Sequence, residues 1–184
     1  VLPSMVSRKV TFPAKAELFK GNRGLFSKLV AWFLTAVGQV PLDRSGGRVS
    51  LAGLGPVLQV LADGGCVGIY PEGTRSPNGT LYRGKTGVAR MAMEGNVPII
   101  PVAMINTYEI QPPGQVRPSL RRVGVRIGRP LDFSRYEGLS NDRFVLRSIT
   151  DEVMYELMSL SGQEYVDMYA TRAKELIAQG SPAD

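Results

Sequence analysis

The sequence of 184 residues contains no histidine, one cysteine and one tryptophan. Without an imidazole the chain lacks the commonest metal ligand and the side chain best suited to moving protons near neutral pH. A lone cysteine can close no internal disulfide and build no cysteine-rich zinc site, which suits a reducing, cytosol-facing compartment. Long apolar runs are also missing. The best, "LVAWFLTAV" at 29–37, is half of the roughly eighteen residues that mark a membrane-spanning helix. No secretory leader pattern opens the chain. The start "VLPSMVSRKV" has no initiator methionine and begins within a pattern, so a preceding segment is expected.

What is present fits one globular domain over 1–184, with a helical C-terminal part over 139–184. Apolar residues make up 43% and charged residues 21%, enough to bury a substantial core. The net charge of +6 is unevenly spread: residues 1–130 hold 17 Lys and Arg against 6 Asp and Glu, and residues 131–184 hold 5 against 10. The basic part is expected to face an anion, whether a phosphorylated small molecule, an anionic lipid headgroup or nucleic acid, with a solvated surface as the plain alternative. Nucleic acid is the weakest of these, because the basic residues are not interleaved with aromatics in a recognisable module.

Strands and helices alternate, predicting an α/β fold with a mostly parallel mixed sheet flanked by helices. Strands are expected at 9–15 (KVTFPAK), 39–43 (QVPLD), 66–70 (CVGIY), 98–104 (PIIPVAM) and 123–128 (VGVRIG). Helices are expected at about 24–37, 49–62, 86–94 with Gly95 as C-cap, from 142 with Asn141 as N-cap, and again over 164–179. The helix at 24–37 is apolar on most sides. It suits either a core helix or a lipid-facing one in which Trp32 and Phe33 touch acyl chains. Cys66, within an apolar strand, reads as core.

Residues 79–86, "GTLYRGKT", satisfy the nucleotide-binding pattern G-x-x-x-x-G-K-[ST], whose glycines let backbone amides wrap phosphates. The context opposes that reading. Such a loop follows its strand directly, whereas "PEGTRSPN" separates Tyr70 from Gly79. Gly79 is better explained as half of an Asn-Gly turn and Gly84 as a joint before a helix.

The intervening "YPEGTRS" (70–76) carries more information. It lies at the carboxyl end of an expected buried strand, where ligands of open α/β sheets sit. Gly73 permits close backbone approach, Thr74 can donate a hydrogen bond, and Arg75 offers a planar fork matched to phosphate.

This stretch resembles the third sequence block of the glycerolipid acyltransferase family. "AKAEL" (14–18), "GQVPLDR" (38–44) and "VPIIPV" (97–102) are similar to other segments of that family in the same order, so the resemblance runs from about residue 9 to 133. It implies an α/β domain held peripherally at the cytoplasmic face of a membrane. The implied reaction moves a fatty acyl group from an acyl-CoA or acyl-carrier-protein thioester to a lysophospholipid hydroxyl, most specifically that of 1-acylglycerol-3-phosphate, giving phosphatidic acid. No metal or resident cofactor is implied. By the resemblance Arg44 and Arg75 hold the acceptor's phosphate, Lys15 is a further contact, and Glu72, Gly73 and Thr74 shape the site around the glycerol. The family's first block, Asn-His-x-x-x-x-Asp, supplies its catalytic His and Asp and has no counterpart here. It is expected upstream of Val1, and a polypeptide of these 184 residues alone is expected to be inactive. The alternatives are a non-catalytic lipid-phosphate binding protein and, less well supported, a P-loop nucleotidase.

Overall fold

The computed structural model describes residues 8–15, 39–42, 51–112, 115 and 117–180. The helix expected at 24–37 and the expected site residue Arg44 lie outside them. The chain divides into two compact units, Val1–Ile69 with Glu94–Val97, and Tyr70–Met93 with Pro98–Asp184.

The first unit is built on short parallel pairs. Strand β1 (Val10–Thr11) runs beside β4 (Cys66–Val67), and β2 (Pro13–Lys15) beside β3 (Val40–Leu42), with Pro13 opposite Val40 and Lys15 opposite Leu42. Helix α1 (Leu51–Ala62) precedes β4 and buries Leu54 and Val57 completely. It ends where the sequence predicts: Gly64 takes φ +72°, and the Gly65 amide bonds back to the Val60 carbonyl at 2.8 Å. Glycine accepts that left-handed conformation without a Cβ penalty.

The strand expected at 66–70 is shorter than its apolar run. After the Gly68 amide bonds the Thr11 carbonyl at 2.8 Å the chain leaves the ladder, and Tyr70 is 65% exposed. Cys66 is accordingly half-buried, not core as the apolar run suggested.

The second unit packs around the 19-residue helix α4 (Arg143–Ser161). Its helical periodicity places Leu146, Ile149 and Val153 on one buried face, where they meet Ala89 of α2 (Gly87–Gly95) and Phe133. Thr150 is buried on the same helix without cost, since its hydroxyl donates to the Leu146 carbonyl at 2.7 Å. Strands β6 (Val102–Ile105) and β7 (Gly124–Ile127) form an antiparallel pair, separated in the chain by the short helix α3 (Thr107–Ile110). Pro98 and Pro101 lack the N–H a ladder needs. The strand expected from residue 98 therefore begins at Val102, with Ile99 joined only by an isolated bridge to Leu131.

Two caps differ from expectation by one residue. Gly95 is the last helical residue of α2, where a Cβ would stand 2.8 Å from Leu61 Cδ1, and the left-handed position falls to Asn96 at φ 46°. At α4 the N-cap is Asp142, whose Oδ1 accepts from the Phe144 and Val145 amides at 2.8 and 3.2 Å.

The largest departure is in the tail. Residues 164–179 are not one helix: β8 (Tyr165–Val166) pairs in parallel with an unanticipated strand, β5 (Leu81–Tyr82), and only Ala170–Ala178 forms helix α5. The Leu81 amide bonds the Glu164 carbonyl at 2.8 Å and the Arg83 amide the Met168 carbonyl at 3.0 Å. This pairing draws a Tyr- and Val-containing segment into extended form, where such residues fit well. The fold is thus α/β, parallel in three strand pairs and antiparallel in one among the described residues.

Candidate substrate site

The turn Tyr70–Arg75 is formed by its own backbone and then clamped from elsewhere in the second unit. The Gly73 amide donates to the Tyr70 carbonyl at 3.0 Å, and Gly73 takes φ +72°. The Lys85 side chain lies over it, with Cδ 3.3 Å from where a Cβ would stand. Any other residue at 73 would meet both the left-handed backbone and this neighbour.

Glu72 turns inward. Its carboxylate accepts from the Tyr82 amide of β5 at 3.0 Å. Burial raises its pKa above the ordinary 4.5, while the Tyr82 amide and the positive charge of Lys174 oppose that rise. Thr74 is held from a third direction: Lys174 Nζ, on α5, donates to its hydroxyl oxygen at 2.6 Å. Helix α5 is anchored for this, because Ala170 and Ala173 pack against the fully buried Tyr82 ring. Arg75 is exposed and makes no ion pair among the described residues. The turn therefore spends Glu72 and Thr74 on its own rigidity and leaves a guanidinium fork in solvent, the group best matched to a phosphate.

The rest of the loop explains why the nucleotide-binding pattern fails here. Leu81 and Tyr82, in the middle of that pattern, are a buried strand. Its amides are occupied: Thr80 N–H by Asn78 Oδ1, Leu81 by Glu164, Tyr82 by Glu72, Arg83 by Met168 and Lys85 by the Pro71 carbonyl. A phosphate cradle needs such donors free and converging. Gly79 does sit in an Asn-Gly turn, at φ +91°, with its amide on Ser76 Oγ at 2.9 Å and Asn78 Oδ1 accepting from the Tyr82 hydroxyl at 3.1 Å. Gly84 is buried against α4, where a Cβ would fall 2.8 Å from Met154 Sδ, and its carbonyl accepts from Arg147 at 2.7 Å.

Of the residues expected at the site, Glu72, Gly73, Thr74 and Arg75 share this turn. Lys15 stands in β2 by its backbone, but its side chain, like the whole of Arg44, lies outside the described residues. Arg83 is engaged within the protein, 3.5 Å from Asp167 and 5.6 Å from the Tyr169 ring centroid. Lys174 was not foreseen. It lies 100 positions from Thr74, and no local pattern marks a contact made only because β5 pairs with β8. No group of three or more carboxylate, cysteine or histidine side chains is placed to hold a metal among the described residues.

Comparison with known proteins gives the family. A family model described as Acyltransferase matches residues 1–105. The chain is 30% identical over 131 residues to the chloroplastic 1-acyl-sn-glycerol-3-phosphate acyltransferase of Arabidopsis thaliana, covering 70% of this chain and 36% of the relative. It is 28% identical over 161 residues to 1-acyl-sn-glycerol-3-phosphate acyltransferase alpha of Bos taurus, covering 87% of this chain and 51% of the relative. In fold it is similar to the crystal structure of the 1-acyl-sn-glycerophosphate acyltransferase PlsC from Thermotoga maritima, with TM-score 0.55 and 24% identity over 81% of this chain and 56% of that one. The chain thus spans between a third and about half of the curated relatives' length. With the family model matching more than half of its residues, the chain belongs to the acyltransferase family.

Proposed function

We propose that this chain is the substrate-binding part of a 1-acylglycerol-3-phosphate O-acyltransferase, which moves a fatty acyl group from an acyl-CoA or acyl-carrier-protein thioester to the free hydroxyl of its acceptor and forms phosphatidic acid. The observation that carries the reading is the clamped turn at 70–75, with Glu72 and Thr74 fixed from within the protein and Arg75 exposed and unpaired among the described residues. Relatives bearing the same activity in their names supply the substrate class.

In this reaction the acceptor hydroxyl attacks the thioester carbonyl, the carbon–sulfur bond breaks, and the thiol leaves with a proton. Arg75 anchors the acceptor's phosphate through charge-assisted hydrogen bonds, with Arg44 and Lys15 as further contacts. Glu72, Gly73 and Thr74 hold the turn so that the glycerol hydroxyl is presented in one orientation. Fixing reactant geometry is a large part of catalysis in such transfers. The imidazole that takes the hydroxyl proton in this chemistry, worth about 10²–10⁴ in rate, is not among these residues, which hold no histidine. A polypeptide of these 184 residues alone accordingly binds acceptor without turning it over. Because the acceptor carries an acyl chain, the working protein sits peripherally at a membrane, on its cytoplasmic face, and its basic first 130 residues complement anionic headgroups.

A non-catalytic lipid-phosphate binding protein would use the same turn. The two readings part on the donor, since only a transferase binds an acyl thioester. Titration of 1-acylglycerol-3-phosphate and of acyl-CoA, each followed calorimetrically against the wild type and Arg75→Ala, tests both. The acceptor's affinity should fall roughly tenfold in the variant, the size of one charge-assisted contact, while donor binding persists. Unchanged acceptor affinity would remove Arg75 from the site, and absence of donor binding would favour the binding-protein reading.

A further inference from the structure

Helix α5 lies beyond residues 1–105, the part matched by the family model, yet it reaches the recognition turn. We propose that Lys174 is a positioning residue of the acceptor-phosphate site, acting through Thr74 and Glu72 and making the C-terminal helix a working part of that site. The proposal rests on the reading of the 70–75 turn given above and adds the element that holds it.

Lys174 is half-buried, and its ammonium donates to Thr74 Oγ1 at 2.6 Å. It is also a source of positive charge at the Glu72 carboxylate. A single cation thus bonds one neighbour of Gly73 and acts through its charge on the other, on either side of the residue whose left-handed backbone makes the turn. Two consequences follow from elementary electrostatics. The Thr74 hydroxyl has one hydrogen to give and accepts from Lys174, so its own proton is free to be directed outward toward an acceptor oxygen. The half-buried Glu72 carboxylate, which would repel a dianionic phosphate placed nearby, is partly neutralised where it stands.

Lysine placement here does not arise from the turn's own sequence. It follows from the packing of Ala170 and Ala173 on Tyr82 and from the parallel pairing of β8 with β5, which together bring a helix from the far end of the sequence against residues 72–74. Ala173 is fully buried, so Lys174 has little freedom to be elsewhere along the helix axis.

The test titrates the full 184-residue chain with a soluble short-chain 1-acylglycerol-3-phosphate and with the matching monoacylglycerol, which lacks the phosphate. Variants are Lys174→Met, Lys174→Arg, Thr74→Val, the Lys174→Met/Thr74→Val double variant and Arg75→Ala. The expected result is a roughly tenfold loss of affinity for the phosphorylated ligand in Lys174→Met, no change for the monoacylglycerol, and recovery of most of the loss in Lys174→Arg. The double variant should lose less than the sum of the two single losses, since part of the effect of Lys174 passes through that hydroxyl. Full affinity in Lys174→Met, or equal losses for both ligands, overturns the proposal. So do fully additive losses in the double variant. Should Lys174→Met not fold, Lys174→Gln takes its place, and full affinity for the phosphorylated ligand, or equal losses for both ligands, overturns the proposal there. If Arg75→Ala also leaves affinity intact, the reading of the turn itself fails. If Arg75→Ala weakens binding and Lys174→Met does not, only the role of Lys174 is lost.

Discussion

Glu72 shows how one residue can be both structural and responsive. Its carboxylate is taken partly out of water to receive the Tyr82 amide, and burial raises its pKa above 4.5 despite that bond and Lys174. The folded state therefore binds this proton more readily than the unfolded chain does. The contribution to stability is fully present below the ordinary Glu value and is lost as pH rises through the higher folded value. Glu72→Gln, which keeps an oxygen for the Tyr82 amide but does not titrate, should remove that part of the pH dependence. Urea unfolding of both proteins at about pH 4 and about pH 7 checks this: the wild type should lose ground to the variant at the higher pH, and parallel behaviour would contradict the assignment. Glu72, Gly73, Thr74 and Arg75 were all legible in the sequence as one motif, because a turn is a local object. Lys174 was not, because its role depends on which strands pair.

At the scale of elements, the sequence was a good guide wherever burial follows a simple period. The apolar face of α4, with Ile149 and Val153 buried and Leu157 packed beside them, was readable from helical spacing. So was α1 and its glycine stop. Failures cluster where a long-range partner decides the backbone. Residues 164–168 have helix-compatible composition but are claimed by β5, and the apolar run at 66–70 outlasts its ladder with β1. The N-cap of α4 is a sharper test of local physics. Asn141 and Asp142 are both good capping residues, yet only Asp142 Oδ1 receives the two first-turn amides. Asp142→Ala should cost about 1 kcal/mol in denaturant unfolding, with Asn141→Ala near neutral. The reverse order would place the cap one residue earlier.

For the whole molecule, two features combine. The basic charge is concentrated in residues 1–130, which include the part matched by the family model, while the acidic remainder supplies helix α5 and its lysine. The proposed binding of a phosphorylated acceptor at 70–75 is open to a direct measurement of where that phosphate lands. Protein labelled with ¹⁵N is titrated with a soluble short-chain 1-acylglycerol-3-phosphate, and backbone amide shifts are followed by NMR. The largest perturbations should fall on Gly73, Thr74 and Arg75, with a smaller response at Lys174. Perturbations confined to the basic residues Arg121, Arg122 and Arg126, with the 70–75 turn silent, would contradict it.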